Sequence, residues 1–166
     1  GLLLLGLESL AQFKPEEVAD FVKWEEFLKT AKVVNQRRMS QREGVTRPYV
    51  LTLEKDGVMQ TAYWKNAIGK QGGFQESWKK EIAAYRLSKY LGLDMVPPTV
   101  EREWQGDKGC CSFGVTPWKN FEQIITEKLQ ATLKASQYLL FLKKLYLQRA
   151  FDNLINNIDR HRRNYL

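Results

Sequence analysis

The sequence predicts an α+β protein, with a strand-rich first part holding one embedded helix and a helical remainder from about residue 116. Three observations predict it. Val50–Leu53 and Val58–Trp64 have the short period of strands and are joined by Lys55-Asp56-Gly57, and Asp-Gly is a strong hairpin signal. Residues 75–91 carry apolar side chains at helical spacing and stop at Gly92, a residue that ends helices readily. From Asn120 onward the pattern is helical throughout, in two segments near 120–134 and 136–156.

The remaining elements follow in order. Residues 1–12, ending Ser9-Leu10-Ala11-Gln12, read as the back half of a secretory signal peptide, with small residues three and one positions before a cleavage point. That reading implies export; the alternative is a short buried strand or helical turn in a cytoplasmic protein. Pro15-Glu16-Glu17 then opens a helix, because proline suits a first turn and carboxylates suit its exposed amides. It continues through Phe21, Trp24, Phe27 and Leu28 to about Thr30, and a strand follows over Lys32–Asn35. After the hairpin, a Gly-rich loop (Gly69, Gly72, Gly73) leads into the embedded helix. Ala83, Ala84, Leu87, Tyr90 and Leu91 line one side of it, and Trp78, Ile82 and Tyr85 the other, which predicts a helix packed between two layers. Val96-Pro97-Pro98 breaks the chain into strands over Thr99–Trp104 and Cys110–Val115, with a turn at Gln105–Gly109. Thr116-Pro117 ends the sheet region. The expected division is therefore 1–12, 13–115 and 116–166.

Composition narrows the function. The 166 residues are 43% hydrophobic and 27% charged, as in an ordinary globular domain. Lys and Arg number 26 against 19 acids, a net charge of +7, which favours an anionic partner. The charge is spread along the chain, however, and no motif for specific nucleic-acid binding is present; the densest runs are Gln36-Arg37-Arg38 and Arg160-His161-Arg162-Arg163. Cys110 and Cys111 are adjacent, which argues against a disulfide framework, and His161 alone cannot supply a zinc cluster. No stretch approaches the roughly 20 apolar residues of a membrane span.

Phosphoryl transfer from ATP asks for few groups: a lysine on the phosphates, an acid to hold it, a carboxylate at the acceptor hydroxyl, and an amide and second carboxylate on magnesium. Lys65 closes the second hairpin strand, and Glu81 sits on the following helix at the flank between its apolar sides. Alone, each reads more simply as a surface residue. Asp159 and Asn164 lie in Asn157-x-Asp159-Arg160-His161-x-x-Asn164 directly after a helix, a spacing that lets one loop aim a base at the hydroxyl and an amide at the metal.

The stretch INNIDRHRRNYL resembles the catalytic loop of atypical kinases, namely the HipA-like bacterial kinases, the phosphatidylinositol kinases and the secretory-pathway kinases, where Asp-Arg-His replaces His-Arg-Asp. Residues 81–115 resemble the HipA-like segment running from the Glu-bearing helix into the connector. The resemblance spans about residues 30–166, with its specific parts at 81–100 and 156–164. It implies a protein-kinase-like fold: a strand-rich N-lobe with its embedded helix, plus the first helices of a C-lobe. It also implies ATP and Mg2+ as cofactors, and a hydroxyl acceptor on a protein, lipid or small molecule. Lys65 and Glu81 would be the phosphate-binding pair, Asp159 the catalytic aspartate, Asn164 a magnesium ligand and His161 a support of the loop. Gly114–Pro117, Val115 among them, would form the hinge beside adenine.

Three departures bear on that reading. Only Gly44 precedes Tyr49 in the nucleotide-loop segment, so the backbone at Gly44–Thr46 is the substitute. Tyr63 stands two residues before Lys65, where a small residue is usual. The second metal aspartate is expected beyond Leu166, so the chain reads as a fragment that is inactive by itself. A pseudokinase or scaffold is the alternative, nucleotidyl transfer on the same fold is a variant, and a basic nucleic-acid binder using Arg37, Arg38, Arg160, Arg162 and Arg163 ranks last.

Overall fold

The structure is a computed structural model that describes residues 13–40, 46–71, 73–115 and 121–157. It is a mixed α+β protein that divides into two compact units, one of Pro15–Val115 and one holding the helices after residue 120. The expected signal segment, 1–12, lies outside the described residues.

In the first unit the elements are α1 (Pro15–Ala19), α2 (Phe21–Thr30), β1 (Lys32–Arg38), β2 (Tyr49–Lys55), β3 (Val58–Lys65), β4 (Ile68–Gln71), β5 (Phe74–Ser77), α3 (Trp78–Tyr90), β6 (Thr99–Trp104) and β7 (Asp107–Phe113). Five strands form one antiparallel sheet in the order β1-β2-β3-β7-β6, and β4 and β5 make a separate hairpin. The β2–β3 turn uses Asp56 and Gly57, both at positive φ, as a tight two-residue hairpin requires.

Strand alternation builds a two-sided sheet. Leu51, Leu53, Ala62, Trp64, Val100 and Cys111 point to one face, where they close on Phe27, Leu28 and Ala31 of α2 and the residue after it. Tyr49, Trp64 and Trp104 meet there edge to face, with ring centroids 4.9 to 6.1 Å apart. Arg102 ties this helix to the sheet: its guanidinium donates to the carbonyls of Leu28 (2.5 Å) and Ala31 (2.6 Å), acceptors that a helix end otherwise leaves open. The other face takes α3, whose Trp78 and Ile82 pack on Cys110.

Several boundaries differ from expectation. The first helix is broken at Asp20 into α1 and α2. The expected Gly-rich loop contains the β4–β5 hairpin, and α3 starts at Trp78, capped by Ser77, whose Oγ accepts from the Lys79 amide. Helix α3 buries mainly one face: Trp78, Ile82, Tyr85 and Ser88 are covered, while on the other expected side Ala84 and Leu87 are half-buried and Ala83, Tyr90 and Leu91 exposed, so that side is not packed under a second layer. The helical flank bearing Ala83 and Tyr90 also carries Lys79 and Arg86, which solvation favours.

The second unit holds α4 (Phe121–Thr126), a short 3₁₀ turn (Leu129–Thr132) and α5 (Ala135–Leu154). The expected helix to 134 stops early because Lys128 takes φ +55°, off the helical path. Phe121 stacks on Phe141, with centroids 6.0 Å apart, and Phe151 and Asp152 are buried near the end of α5.

Candidate functional site

Strand β3 positions Lys65. Ala62 and Trp64 go into the core, so Tyr63 and Lys65 point to the opposite face, the one that α3 covers at β6 and β7. Lys65 pairs with Cys110 of β7, which sets the ammonium beside the first turns of α3. Starting at the Ser77 cap, the fourth residue of α3 is Glu81, and its Oε1 accepts from Lys65 Nζ at 2.8 Å.

A second carboxylate reaches the same ammonium. Glu76 Oε2, on β5, stands 3.1 Å from Lys65 Nζ, so the lysine, 18% exposed, sits between two acids that are 28% and 46% exposed. Burial pulls Lys65 toward its neutral form, but Glu81 and Glu76 outweigh it and its pKa lies above the usual lysine value. The lysine therefore stays charged at any physiological pH. Glu76 was not expected from the sequence. The signal was there: Gly72-Gly73 between Ile68–Gln71 and Phe74–Ser77 is a hairpin dipeptide, and reading it so would have placed Glu76 on a strand opposite Gly69.

The connector begins pinned to β3. The Gly114 N–H donates to Thr61 O at 2.8 Å, and Gln60 Nε2 donates to Gly114 O at 2.8 Å. A Cβ at Gly114 would stand 2.5 Å from Thr61 O, so only glycine permits this approach. Val115, half-buried, is the next residue along. On the Lys65 face, Val50 and Thr52 are half-buried and Thr61 and Tyr63 exposed, so the sheet beside the lysine presents an open strip.

Of the six expected site residues, the structure brings together Lys65 and Glu81 and places Val115 at the start of the connector. Asp159, His161 and Asn164 lie outside the described residues, as does Gly44 of the substitute nucleotide loop. Immediately upstream, Asn157 is bound back to α5: its Nδ2 donates to Asp152 Oδ1 and its backbone N–H to Asp152 O, both at 2.8 Å. Asn157 is the first residue of the Asn-x-Asp-Arg-His motif.

Other chemistry is absent or inert among the described residues. Cys110 and Cys111 are free and buried, and burial pushes both thiols up to about 12, so they stay protonated and poorly nucleophilic at neutral pH. Among the described residues, no cluster of three His, Cys, Asp or Glu suited to a metal is present, and no helix is long and apolar enough to cross a membrane.

Helix α3 has a second anchor, on α2. Glu25 Oε1 accepts from Tyr85 Oη at 2.5 Å and from Lys89 Nζ at 2.6 Å. Burial alone would raise the Glu25 pKa, but these two bonds and the charges of Lys89 and Lys29 bring it below the usual carboxylate value. A carboxylate with a lowered folded pKa stabilises above its unfolded value and loses that contribution as pH falls through the folded one. Glu25→Gln should thus be less stable than the parent at neutral pH, and the two should converge on acidification. Urea midpoints from about pH 7 to 3 measure this, and a pH-independent gap would contradict the assignment.

Comparison with protein-family models, with curated proteins and with solved structures gave no match to this chain.

Proposed function

We propose that this chain carries the nucleotide-binding half of an atypical kinase-like phosphotransferase, of the HipA or phosphatidylinositol-kinase type, moving phosphate from Mg-ATP to a hydroxyl. The observation that carries the reading is the Lys65–Glu81 pair: a strand-end lysine held at 2.8 Å by a glutamate from the next long helix. Kinases depend on such a pair to set the phosphate-binding ammonium. Its order supports the same reading, since lysine strand, glutamate helix, two further strands and a connector pinned at Gly114 follow one another along the chain.

The chemistry assigns one task to each group. Lys65 neutralises charge on the transferred phosphate, and Glu81 keeps the ammonium from swinging away. Asp159 orients or deprotonates the acceptor hydroxyl, Asn164 holds Mg2+, and His161 supports the loop between them. Val115 offers its backbone to the adenine edge. Preorganised charge of this kind acts most strongly where charge redistributes in the transition state.

A second reading, a non-catalytic pseudokinase, is favoured by Tyr63. It is 39% exposed on the Lys65 face and narrows the strip where a base would lie.

Calorimetric titration of the chain with ATP, with and without Mg2+, separates the readings. Saturable, Mg2+-dependent binding that ADP competes for is the expected result. Binding that Mg2+ leaves unchanged would favour the pseudokinase. No binding at millimolar ATP would overturn the phosphotransferase reading.

A further inference from the structure

Toward the C-terminal end of α3, away from the Lys65–Glu81 pair in its first turns, a cleft of about 440 Å3 opens between α2, α3 and the edge strand β6. Clefts of this size suit small ligands, and five of the nine residues lining this one are charged. Lys29 comes from α2, and Arg86 and Lys89 come from α3. Lys89 is engaged with Glu25, whereas Lys29 and Arg86 have neither a hydrogen-bond nor an ion-pair partner among the described residues. Of the two acids, Glu25 is paired with Lys89 and accepts a hydrogen bond from Tyr85, and Glu101 lies 3.5 Å from Lys108 in an exposed surface pair.

The floor adds a backbone donor. The Phe113 N–H donates to Pro98 O, so Pro98, Val100 and Arg102 turn their polar groups toward β7. Thr99 and Glu101 then turn theirs outward, at the free edge that floors the cleft. An unpaired strand edge is a row of donors and acceptors waiting for a partner. One cation from each helix, Lys29 (whose charge also acts on Glu25) and Arg86, lines the same cleft as the outward N–H of Glu101, a basket for a negatively charged oxygen group. Tyr90, 86% exposed, stands at the rim one turn beyond Arg86 and offers a flat surface.

From this geometry we infer that the α2–α3–β6 cleft is an oxyanion-binding site, which takes the phosphate or carboxylate of a small ligand between Lys29, Arg86 and the Glu101 amide. The site is separate from the Lys65 site and does not rest on the phosphotransferase reading.

The test is an amide-resolved NMR titration of the whole chain with phenyl phosphate and, separately, with benzoate. Saturating shifts at Arg86, Tyr90 and Glu101 are expected with at least one of them, and which one responds identifies the anion. The double variant Lys29→Gln, Arg86→Gln should bind about tenfold more weakly or worse, since two charge-assisted bonds are lost. Lys65→Met should leave these shifts unchanged, and that separates the cleft from the nucleotide site. Three outcomes would overturn the inference: no saturable shift with either probe, shifts centred on Lys65 instead of Glu101, or equal affinity in the double variant. The wild-type shift map decides the matter even if the double variant folds poorly.

Discussion

Lys65→Met should weaken Mg-ATP binding by on the order of 100-fold, about 2.8 kcal/mol at 1.4 kcal/mol per decade, while hardly changing the melting temperature. Methionine keeps the length and apolar stem of the lysine and removes only the ammonium. Its two carboxylate neighbours are 28% and 46% exposed, so water can solvate them once the cation is gone, and the folded state should lose less than about 1 kcal/mol. A bound triphosphate has no such replacement, because its charge must be met where it sits. Glu81→Gln should cost less, roughly three- to tenfold, since the lysine remains and only its placement loosens. Glu76→Gln then reports whether the second carboxylate shares in that placement. Calorimetry on the three variants decides the point: equal ATP affinity in Lys65→Met and the parent would remove the phosphotransferase reading.

Trp64→Ala carries the largest expected effect on stability, about 3–5 kcal/mol. The indole is 3% exposed and meets Trp104 at 5.0 Å and Tyr49 at 6.1 Å between ring centroids. Its Nε1–H donates to Arg102 O at 3.1 Å, so truncation removes a hydrogen bond as well as a large packed surface. No neighbour can fill the hole from Gly109, which lacks a side chain there because a Cβ would meet the indole at 2.8 Å. Against a total of about 5–15 kcal/mol for a typical domain, that loss approaches global unfolding. Urea denaturation measures it, with Trp64→Phe as the control that keeps one ring while losing the indole bond and part of the packed volume. A shift under about 1 kcal/mol for the alanine variant would mean that the three-ring cluster is not the centre of this core.

The α+β class and most strands were legible from the sequence, because their signals are local. Period-two alternation and the Asp56-Gly57 turn need only neighbouring residues, and they define β2 and β3 to within two residues. Strand β6 was legible to the residue, whereas β7 begins at Asp107, three residues before the expected Cys110, because the turn is only Gln105–Gly106. Helix ends were less legible. The break at Asp20 and the early stop at Lys128 turn on single backbone angles that no side-chain pattern announces. The apolar residues on the outer side of α3 misled, since periodicity shows which residues could be buried but not whether anything lies over them.

For the candidate site, Lys65 and Glu81 were nominated by their kinase-like order together with the resemblance at 81–100 and 156–164, since each alone reads as a surface residue. That the two meet at 2.8 Å, that Glu76 joins them, and that Gly114 is locked onto Thr61 were decided only by the tertiary structure. Each depends on strand order β3-β7-β6 and on the face to which α3 docks, and both are set by packing between residues far apart in the chain. The cleft between α2, α3 and β6 has the same origin. Lys29, Arg86 and Glu101 carry no shared sequence signal, and only the wrapping of two helices around one sheet edge brings them together.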